Sequence, residues 1–293
     1  MADIKLSLIS FDGISEVARL LIEKISKAVG WVANKETNRK IAESTYIEEI
    51  KNSDFDPITK ACLITTAKKT INEYSRQHAI VRNAIDNMRE DAKPNELDDD
   101  WILQFMDKAR LVSDAEFQMI WGKLLAEECN APGSIPRGLL HTLERMDRTD
   151  AEHFSKLCSF SVHHNSGTPE YSPIIVSNRF DDYYTKKKGL NYSTIVDLSS
   201  LGLIEASFGP FAAGYQMDFS TRPVTVCYHD KHTLFSESIR RIPIGNVMFT
   251  KTGQALCKAI DAEKQDDFWE EICLPLWNPK RLKELNPEAD VEK

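Results

Sequence analysis

The chain has 293 residues, of which 42% are hydrophobic and 28% charged, and its formal net charge is −8. This length accommodates roughly two domains of about 150 residues each. No segment carries the strongly positive balance that neutralises many phosphates, and no apolar run reaches the ~18 residues of a membrane-spanning helix. We therefore expect a globular protein with a sizeable core and no transmembrane segment.

The first predicted element is an amphipathic helix over residues 13–33. Its apolar face has helical spacing and consists of Ile14, Val17, Leu21, Ile25, Ala28, Val29 and Val32. Such a face packs either on protein or on a membrane surface. Helices that lie on membranes usually carry a richly basic polar face, whereas Glu16 and Glu23 balance Lys24 and Lys27 here. The mixed charge favours packing on protein and leaves a peripheral membrane helix as the alternative.

After a short helix at 37–52, residues 57–93 form the longest predicted helix. Asp56 and Pro57 provide an N-cap and an N1 proline, and Pro94 ends the helix. Heptad positions recur at alternating steps of three and four over about three and a half heptads. They are Ile64, Ala67, Ile71, Tyr74, His78, Val81, Ile85 and Met88. Because a long helix needs a packing partner, this seam predicts self-association or packing on another helix of the same chain.

Residues 96–165 are predicted to form a compact antiparallel bundle of four short helices. Ser113-Asp-Ala-Glu116 and Thr149-Asp-Ala-Glu152 have the pattern of capping boxes and begin the second and fourth helices. The fourth helix is expected to reach about Val162. The His163-His164 pair would then cap its C-terminal end, where a cation is favoured.

Residues 166–277 are predicted to form a small α+β domain, followed by a charged tail at 278–293. Short strands are expected at 174–176, 203–206, 224–228 and 242–249, with helices at 193–201 and 250–262. The order of helix, helix, strand, hairpin and helix resembles a winged-helix domain. The fold class is therefore mainly α: helices at 1–95 that include a long coiled-coil-like one, a bundle at 96–165, and a winged-helix-like end.

No pattern of a catalytic or cofactor-binding site is evident. The glycines are isolated, and neither a nucleophile elbow nor a zinc-protease motif occurs. Cys227, His229 and His232 are the best metal candidates, but their spacing is not that of a zinc finger, and a plain strand-turn-strand is preferred. Glu127 and Glu128 are adjacent and so do not share a helix face. The sequence predicts no cofactor, no metal and no enzymatic activity.

Basic residues in the C-terminal domain suggest a nucleic-acid hypothesis. The candidate contacts are Lys186, Lys187, Lys188, Arg240 and Arg241. However, the helix at 193–201 that would enter the groove has no Lys or Arg and contains Asp197. Phosphate contacts through the lysines remain open, but an interaction module is preferred.

The six cysteines form no CxxC pair and mostly lie in apolar patterns. This usage is typical of reduced, buried thiols in the cytosol. Asp3 and Asp12 flank the short apolar stretch near the N-terminus, which does not fit a signal peptide. We therefore expect a cytoplasmic protein.

The stretch from Trp101 to Leu143 resembles a bacterial family known only as a domain of unknown function. The similarity spans about residues 95–260 and is most specific at Val112-Ser113-Asp114, Trp121 and Pro132-Gly133. The layout of that family is similar to the abortive-infection alpha-type proteins. The resemblance implies a helical region with a winged-helix-like end, no catalytic residues, and a link to antiviral defence.

These observations favour a non-enzymatic, self-associating scaffold or regulator, expected to form a homo-oligomer or to bind a helical protein partner. The alternatives are a DNA-binding winged-helix regulator and a peripheral membrane effector acting through residues 13–33.

Overall fold

The structure is a computed structural model that describes residues 15–32, 39–165, 173–177, 183–208, 214–219 and 223–288. Within these residues the chain is mainly helical with small antiparallel sheets, as the sequence predicts. The chain divides into two compact units, residues 1–140 and 141–293. The boundaries expected at residues 95 and 165 do not coincide with this division.

The first unit is built from helices. They are α1 (Glu16–Val29), α2 (Arg39–Asn52), α3 (Pro57–Asn87), a 3₁₀ turn (Pro94–Glu96), α4 (Asp99–Ala109), α5 (Ala115–Asn130) and the first part of α6 (Arg137–Arg145). Asp56 caps α3 as expected, because its Oδ1 accepts the backbone N–H groups of Ile58 and Thr59 at 2.9 and 3.1 Å. Helix α3 ends at Asn87, several residues before the proline that was expected to stop it.

Four packing contacts give the first unit one shared core. Helix α1 packs on α4 and the 3₁₀ turn, and α3 packs on α5 and α2. The crossing of α3 and α5 is close, because a Cβ at Gly122 would lie only 2.4 Å from Asn83 Cβ. The N-terminal helices and the start of the predicted bundle therefore share a core, and no boundary falls near residue 95.

The second unit combines helices with antiparallel strands. Its helical elements are α7 (Arg148–Cys158), a π-helical turn (Tyr183–Lys187), α8 (Tyr192–Ser200), α9 (Lys251–Lys258), a second π-helical turn (Trp269–Cys273), α10 (Leu274–Leu276) and α11 (Pro279–Leu285). Its strands are β1 (Ser161–Asn165), β2 (Pro173–Ile175), β3 (Ile204–Ala206), β4 (Tyr215–Asp218), β5 (Val224–Tyr228), β6 (Lys231–Phe235), β7 (Arg241–Gly245) and β8 (Val247–Phe249).

One sheet has the strand order β2-β1-β5-β6, and the pairs β3-β8 and β4-β7 stand apart from it. Helix α7, expected in the bundle, packs on α8 within this unit. This packing explains why no boundary falls near residue 165.

Two helix starts differ from the sequence prediction by one or two residues. Asp114, not Ser113, caps α5 and accepts the N–H groups of Glu116 and Phe117. Asp147, not Thr149, caps α7 and forms the capping box with Asp150. An aspartate precedes each helix, and its carboxylate competes successfully with the hydroxyl for the free N–H groups.

The His163-His164 pair does not cap a helix, so that prediction is wrong. Helix α7 ends at Cys158, and both histidines belong to β1. His163 lies opposite Pro173 of β2 and Cys227 of β5. As part of β1, this segment pairs with β2 on one side and with β5 on the other. A helix that continued through these residues would lose both strand pairings.

The charged segment that begins at residue 278 is folded up to Glu288, and residues 289–293 lie outside the described part. Leu282 of α11 is buried. Asn286 Oδ1 accepts the backbone N–H groups of Arg240 and Arg241 at 2.8 and 3.0 Å, and its Nδ2 donates to the Arg241 carbonyl at 3.0 Å. One buried amide and one leucine thus dock a segment whose composition is otherwise polar.

Candidate functional site

The heptad seam of α3 is covered unevenly by its own chain. Ala67 and Val81 are buried, whereas the other predicted self-association residues are half-buried, namely Ile64, Ile71, Tyr74, Ile85 and Met88. The second half of the helix is the better packed, because Ile80, Val81 and Ala84 are all buried. Between residues 57 and 79, Ala67 is the only buried residue.

Part of this seam has a partner within the first unit. The Tyr74 ring stacks on Trp31 at 5.9 Å between centroids, and its hydroxyl donates to the Val32 carbonyl at 2.8 Å. His78 also lies against both rings. Tyr74 and His78 are therefore engaged by the end of the N-terminal helical segment, whereas Ile64 and Ile71 lie in the half of α3 where Ala67 is the only buried residue.

The apolar face of α1 is used inside the first unit. Ala18, Leu21, Ile22 and Ile25 are buried, and α4 packs on this helix. Ile14, which was predicted to share the face, lies outside the described residues. Across the part of the chain that the structure describes, no helix combines the length and apolar character needed to cross a bilayer.

The basic residues suggested for nucleic acid have acidic neighbours in the second unit. Lys187 Nζ lies 2.7 Å from Glu271 Oε2, and Lys188 Nζ lies 2.8 Å from Asp267 Oδ1. The pKa of Asp267 is lowered to about 2, because hydrogen bonds from Lys188 and Tyr183 outweigh the opposing effect of burial. Two of the three lysines are thus held in ion pairs that contact with a phosphate would have to break.

The two arginines of this set lie at the start of β7. The side chains of Arg240 and Arg241 are exposed. Arg241 Nε lies 3.6 Å from Asp218 Oδ1 of the neighbouring strand β4.

The metal candidates lie on the β5–β6 hairpin. Cys227 faces His232 across the two strands, and His229 occupies the two-residue turn with φ of 50°. Histidine is among the residues that enter this left-handed region more readily than most. Within the described ranges, no group of three or more potential ligands could hold a metal ion. The strand-turn-strand interpretation fits this geometry.

A cavity of about 590 Å³ lies beside this hairpin in the second unit. This volume is within the range of ligand pockets, roughly 300–1,000 Å³. The lining combines thiols, imidazoles and a lysine with apolar residues, and its polar side chains include Cys158, Ser161, His163, Cys227, His229, Cys257 and Lys258. These side chains come from α7, β1, β5, the hairpin turn and α9.

Two of the cavity thiols, Cys158 and Cys257, are buried. Burial raises the pKa of the Cys158 thiol well above its ordinary value. Ser161 Oγ lies 3.7 Å from Cys257 Sγ and donates to the Cys158 carbonyl at 2.7 Å.

Burial keeps His163 and Tyr228 of the cavity wall in their neutral forms. Burial lowers the pKa of His163, and the nearby His229, His164 and Lys258 lower it further. Burial raises the pKa of Tyr228 to about 12, so this phenol stays neutral. Among the described residues that line the cavity, none is acidic. The wall therefore combines neutral polar groups with the Lys258 side chain.

Sequence reasoning missed this cavity. Cys158 and Cys257 are about a hundred positions apart, and the His163-His164 pair was assigned to a helix end. The one available signal was the thiol and imidazole content around Cys227 and His229. That signal pointed to a metal, whereas the strand pairing directs the hairpin turn towards the ends of α7 and α9.

The sequence model of a family described as "Protein of unknown function (DUF2806)" matches residues 66–273. Since the match spans more than half of the chain, the protein belongs to this family. This agrees with the resemblance to an uncharacterised family, and the matched region contains the whole cavity. No curated protein and no solved structure matches the chain.

Proposed function

We propose that this protein is a non-enzymatic, self-associating scaffold or regulator, and that α3 provides the contact between copies. The observation that carries the proposal is the uneven cover of the heptad seam. Ile64 and Ile71 remain half-buried although α2 packs on the same helix. A second copy of α3 would complete their burial, and each isoleucine so buried contributes on the order of 1 kcal/mol.

Exposed apolar residues on the α2–α3 hairpin support the same surface. Tyr46 is 50% exposed, Phe55 54% and Ile58 77%. Single exposed apolar residues are ordinary, but several on one element indicate a contact surface. These three residues are close in sequence to the first half of the seam, and they would extend an interface that Ile64 and Ile71 begin.

The test places two charges on the seam and two on the opposite face. The double substitution Ile64→Asp and Ile71→Asp is expected to convert an oligomer to a monomer in sedimentation velocity, because unpaired carboxylates cannot be buried between helices. The matched control is Thr66→Asp with Thr70→Asp, at exposed positions of the same helix. Equal sedimentation of both double variants and the native protein would count against an α3 interface.

The finer features of the proposal are a coiled-coil-like α3, a winged-helix-like second unit, a cytoplasmic location and a role in bacterial antiviral defence. The winged-helix-like interpretation is supported by α8, which is followed by β3 and closed by Gly202 at φ of 74°. The location is supported by six cysteines that are all free thiols. The defence role has support only from the resemblance to abortive-infection alpha-type proteins.

The two alternative functions have less support. DNA contact through the second unit would require Lys187 and Lys188 to leave their acidic partners. A membrane-bound α1 would have to expose Leu21 and Ile25, which are fully buried. Both alternatives therefore require the loss of contacts that self-association through α3 preserves.

A further inference from the structure

Strand β1 lies inside the four-stranded sheet of the second unit and carries two adjacent histidines. It pairs with β2 on one side and with β5 on the other. His164 lies opposite the buried Val226 of β5, and its ring centroid lies 5.9 Å from that of Phe219. Only 8% of the surface of His164 is exposed. The imidazole is therefore enclosed among apolar side chains at an inner strand of the sheet.

The Nδ1 atom of His164 is buried and, within the described residues, has no hydrogen-bond partner. A neutral imidazole tolerates this position, because Nδ1 can be the nitrogen that carries no hydrogen. A protonated imidazole carries a hydrogen on both nitrogens, so it would bury a positive charge and an N–H donor that has no acceptor. Burial accordingly lowers the pKa of His164. The folded strand therefore favours the neutral ring.

The charged and titratable groups around His164 do not offset this cost. Tyr228 of β5 and Lys231 of β6 are paired across the hairpin, and they share the sheet face of His164 because side chains alternate along each strand. Burial raises the pKa of Tyr228 to about 12, and Lys231 forms an ion pair with Glu270. Asp218, at the end of β4, is exposed, and its Oδ1 lies 3.6 Å from the Nε of an arginine in β7.

The neighbouring histidine on β1 has the same preference for the neutral form. His163 faces the other side of the strand and lines the cavity together with Ser161. Burial is the largest cause that lowers the pKa of His163, and His229, His164 and Lys258 lower it further. A proton on either histidine of β1 therefore disfavours the folded strand.

We propose that His164 makes β1 an acid-sensitive strand, and that protonation of this ring separates β1 from β5 and opens the cavity of the second unit. Strand β1 supplies Ser161 and His163 to the cavity lining, so loss of the strand pairing removes part of that lining. This device belongs to the second unit and is independent of self-association through α3.

The sign of the pH dependence follows from proton linkage. The unfolded chain has an ordinary histidine pKa of about 6.5 at position 164, and the folded chain has a lower one. The unfolded chain therefore binds more protons, so the stability that His164 contributes is complete above about pH 6.5 and is lost as the pH falls towards the folded pKa. In this interval one such group raises the unfolding equilibrium constant by up to about tenfold per pH unit.

The first test compares urea unfolding of the intact native protein and of His164→Phe between pH 7.5 and pH 5. Phenylalanine keeps an aromatic ring beside Phe219 but cannot bind a proton. The unfolding equilibrium constant of the native protein, relative to that of His164→Phe, is expected to rise by up to about tenfold from pH 6.5 to pH 5.5. His141→Gln, at an exposed histidine of the same unit, should keep the native pH dependence. Equal pH dependence of the native protein and His164→Phe would overturn the proposal.

The second test uses the native protein alone and so does not depend on the folding of a variant. Amide hydrogen exchange is measured at several pH values and expressed as protection relative to the intrinsic rate at each pH. The amides of β1 and β5 should lose up to about tenfold in protection from pH 6.5 to pH 5.5, whereas those of α5 in the first unit should keep theirs. Constant protection of β1 over this range would refute the opening of the strand.

Discussion

Replacement of Gly253 by alanine is expected to lower the free energy of unfolding of the second unit by about 3 kcal/mol, at the upper end of the usual cost of overpacking. A Cβ at this position would lie 1.9 Å from the Leu203 carbonyl oxygen and 2.9 Å from its carbon. Both are backbone atoms, so no side-chain rotation relieves the clash. The same carbonyl accepts the Thr250 N–H at 3.1 Å, which holds the start of α9 against this segment.

Thermal unfolding measures this effect, and a loss of this size lowers the Tm by roughly 6–12 °C in a unit of this length. Gly138 provides the matched control because it lies within α6 and has no atom close to where a Cβ would be. Gly138→Ala should be neutral or stabilising, by up to about 1 kcal/mol, through helix propensity alone. Equal melting temperatures for both alanine variants would contradict the close approach of α9 to Leu203.

Replacement of Glu128 by alanine should have the second large effect, a loss of about 3 kcal/mol from the first unit. The Glu128 carboxylate is 2% exposed, and its two oxygens accept the backbone N–H groups of Gly133 and Ile135, each at 2.7 Å. The alanine variant leaves two donors without this acceptor at the turn that follows α5. Glu127→Ala, at the adjacent half-buried position, should stay within about 0.5 kcal/mol of the native protein in urea unfolding. A similar cost for both substitutions would contradict this role for Glu128.

The pH dependence of the same carboxylate has a definite sign. Burial raises the pKa of Glu128 above its ordinary value, and the two backbone hydrogen bonds only partly oppose this shift. The folded state therefore binds a proton at Glu128 more tightly than the unfolded state does. The contribution of Glu128 to stability is greatest below the ordinary pKa of a glutamate, and it is lost as the pH rises through the raised pKa of the folded state. The stability of the native protein relative to Glu128→Gln should fall over that interval in urea titrations, and a rise would contradict the assignment.

The helices of the first unit could be predicted because their signals are local. The Asp56-Pro57 start lies within a few residues of the turn that it organises, and the stripe of α1 repeats with the helical period. The same local signals placed α8. They also overextended α7, because nothing near Cys158 announces that the next residues pair with strands far away in sequence.

The cavity could not be predicted for the same physical reason. Its thiols and imidazoles meet through the pairing of β1 with β5 and through the position of α9, contacts that join residues up to a hundred positions apart. The folded C-terminal segment depends on one amide, Asn286, which no composition average detects. Glu128 was discounted as a functional residue because it is adjacent to Glu127. This spacing predicts which helix face Glu128 lies on, but not that the turn after α5 hydrogen-bonds to its carboxylate.

The central claim is that this protein self-associates through α3, and the molar mass of the native protein in solution tests it most directly. Light scattering coupled to size-exclusion chromatography, over a hundredfold range of concentration, should give a mass above the 33.3 kDa of a single chain that rises with concentration. A mass of 33.3 kDa throughout that range would contradict the claim and assign the seam to packing within one chain.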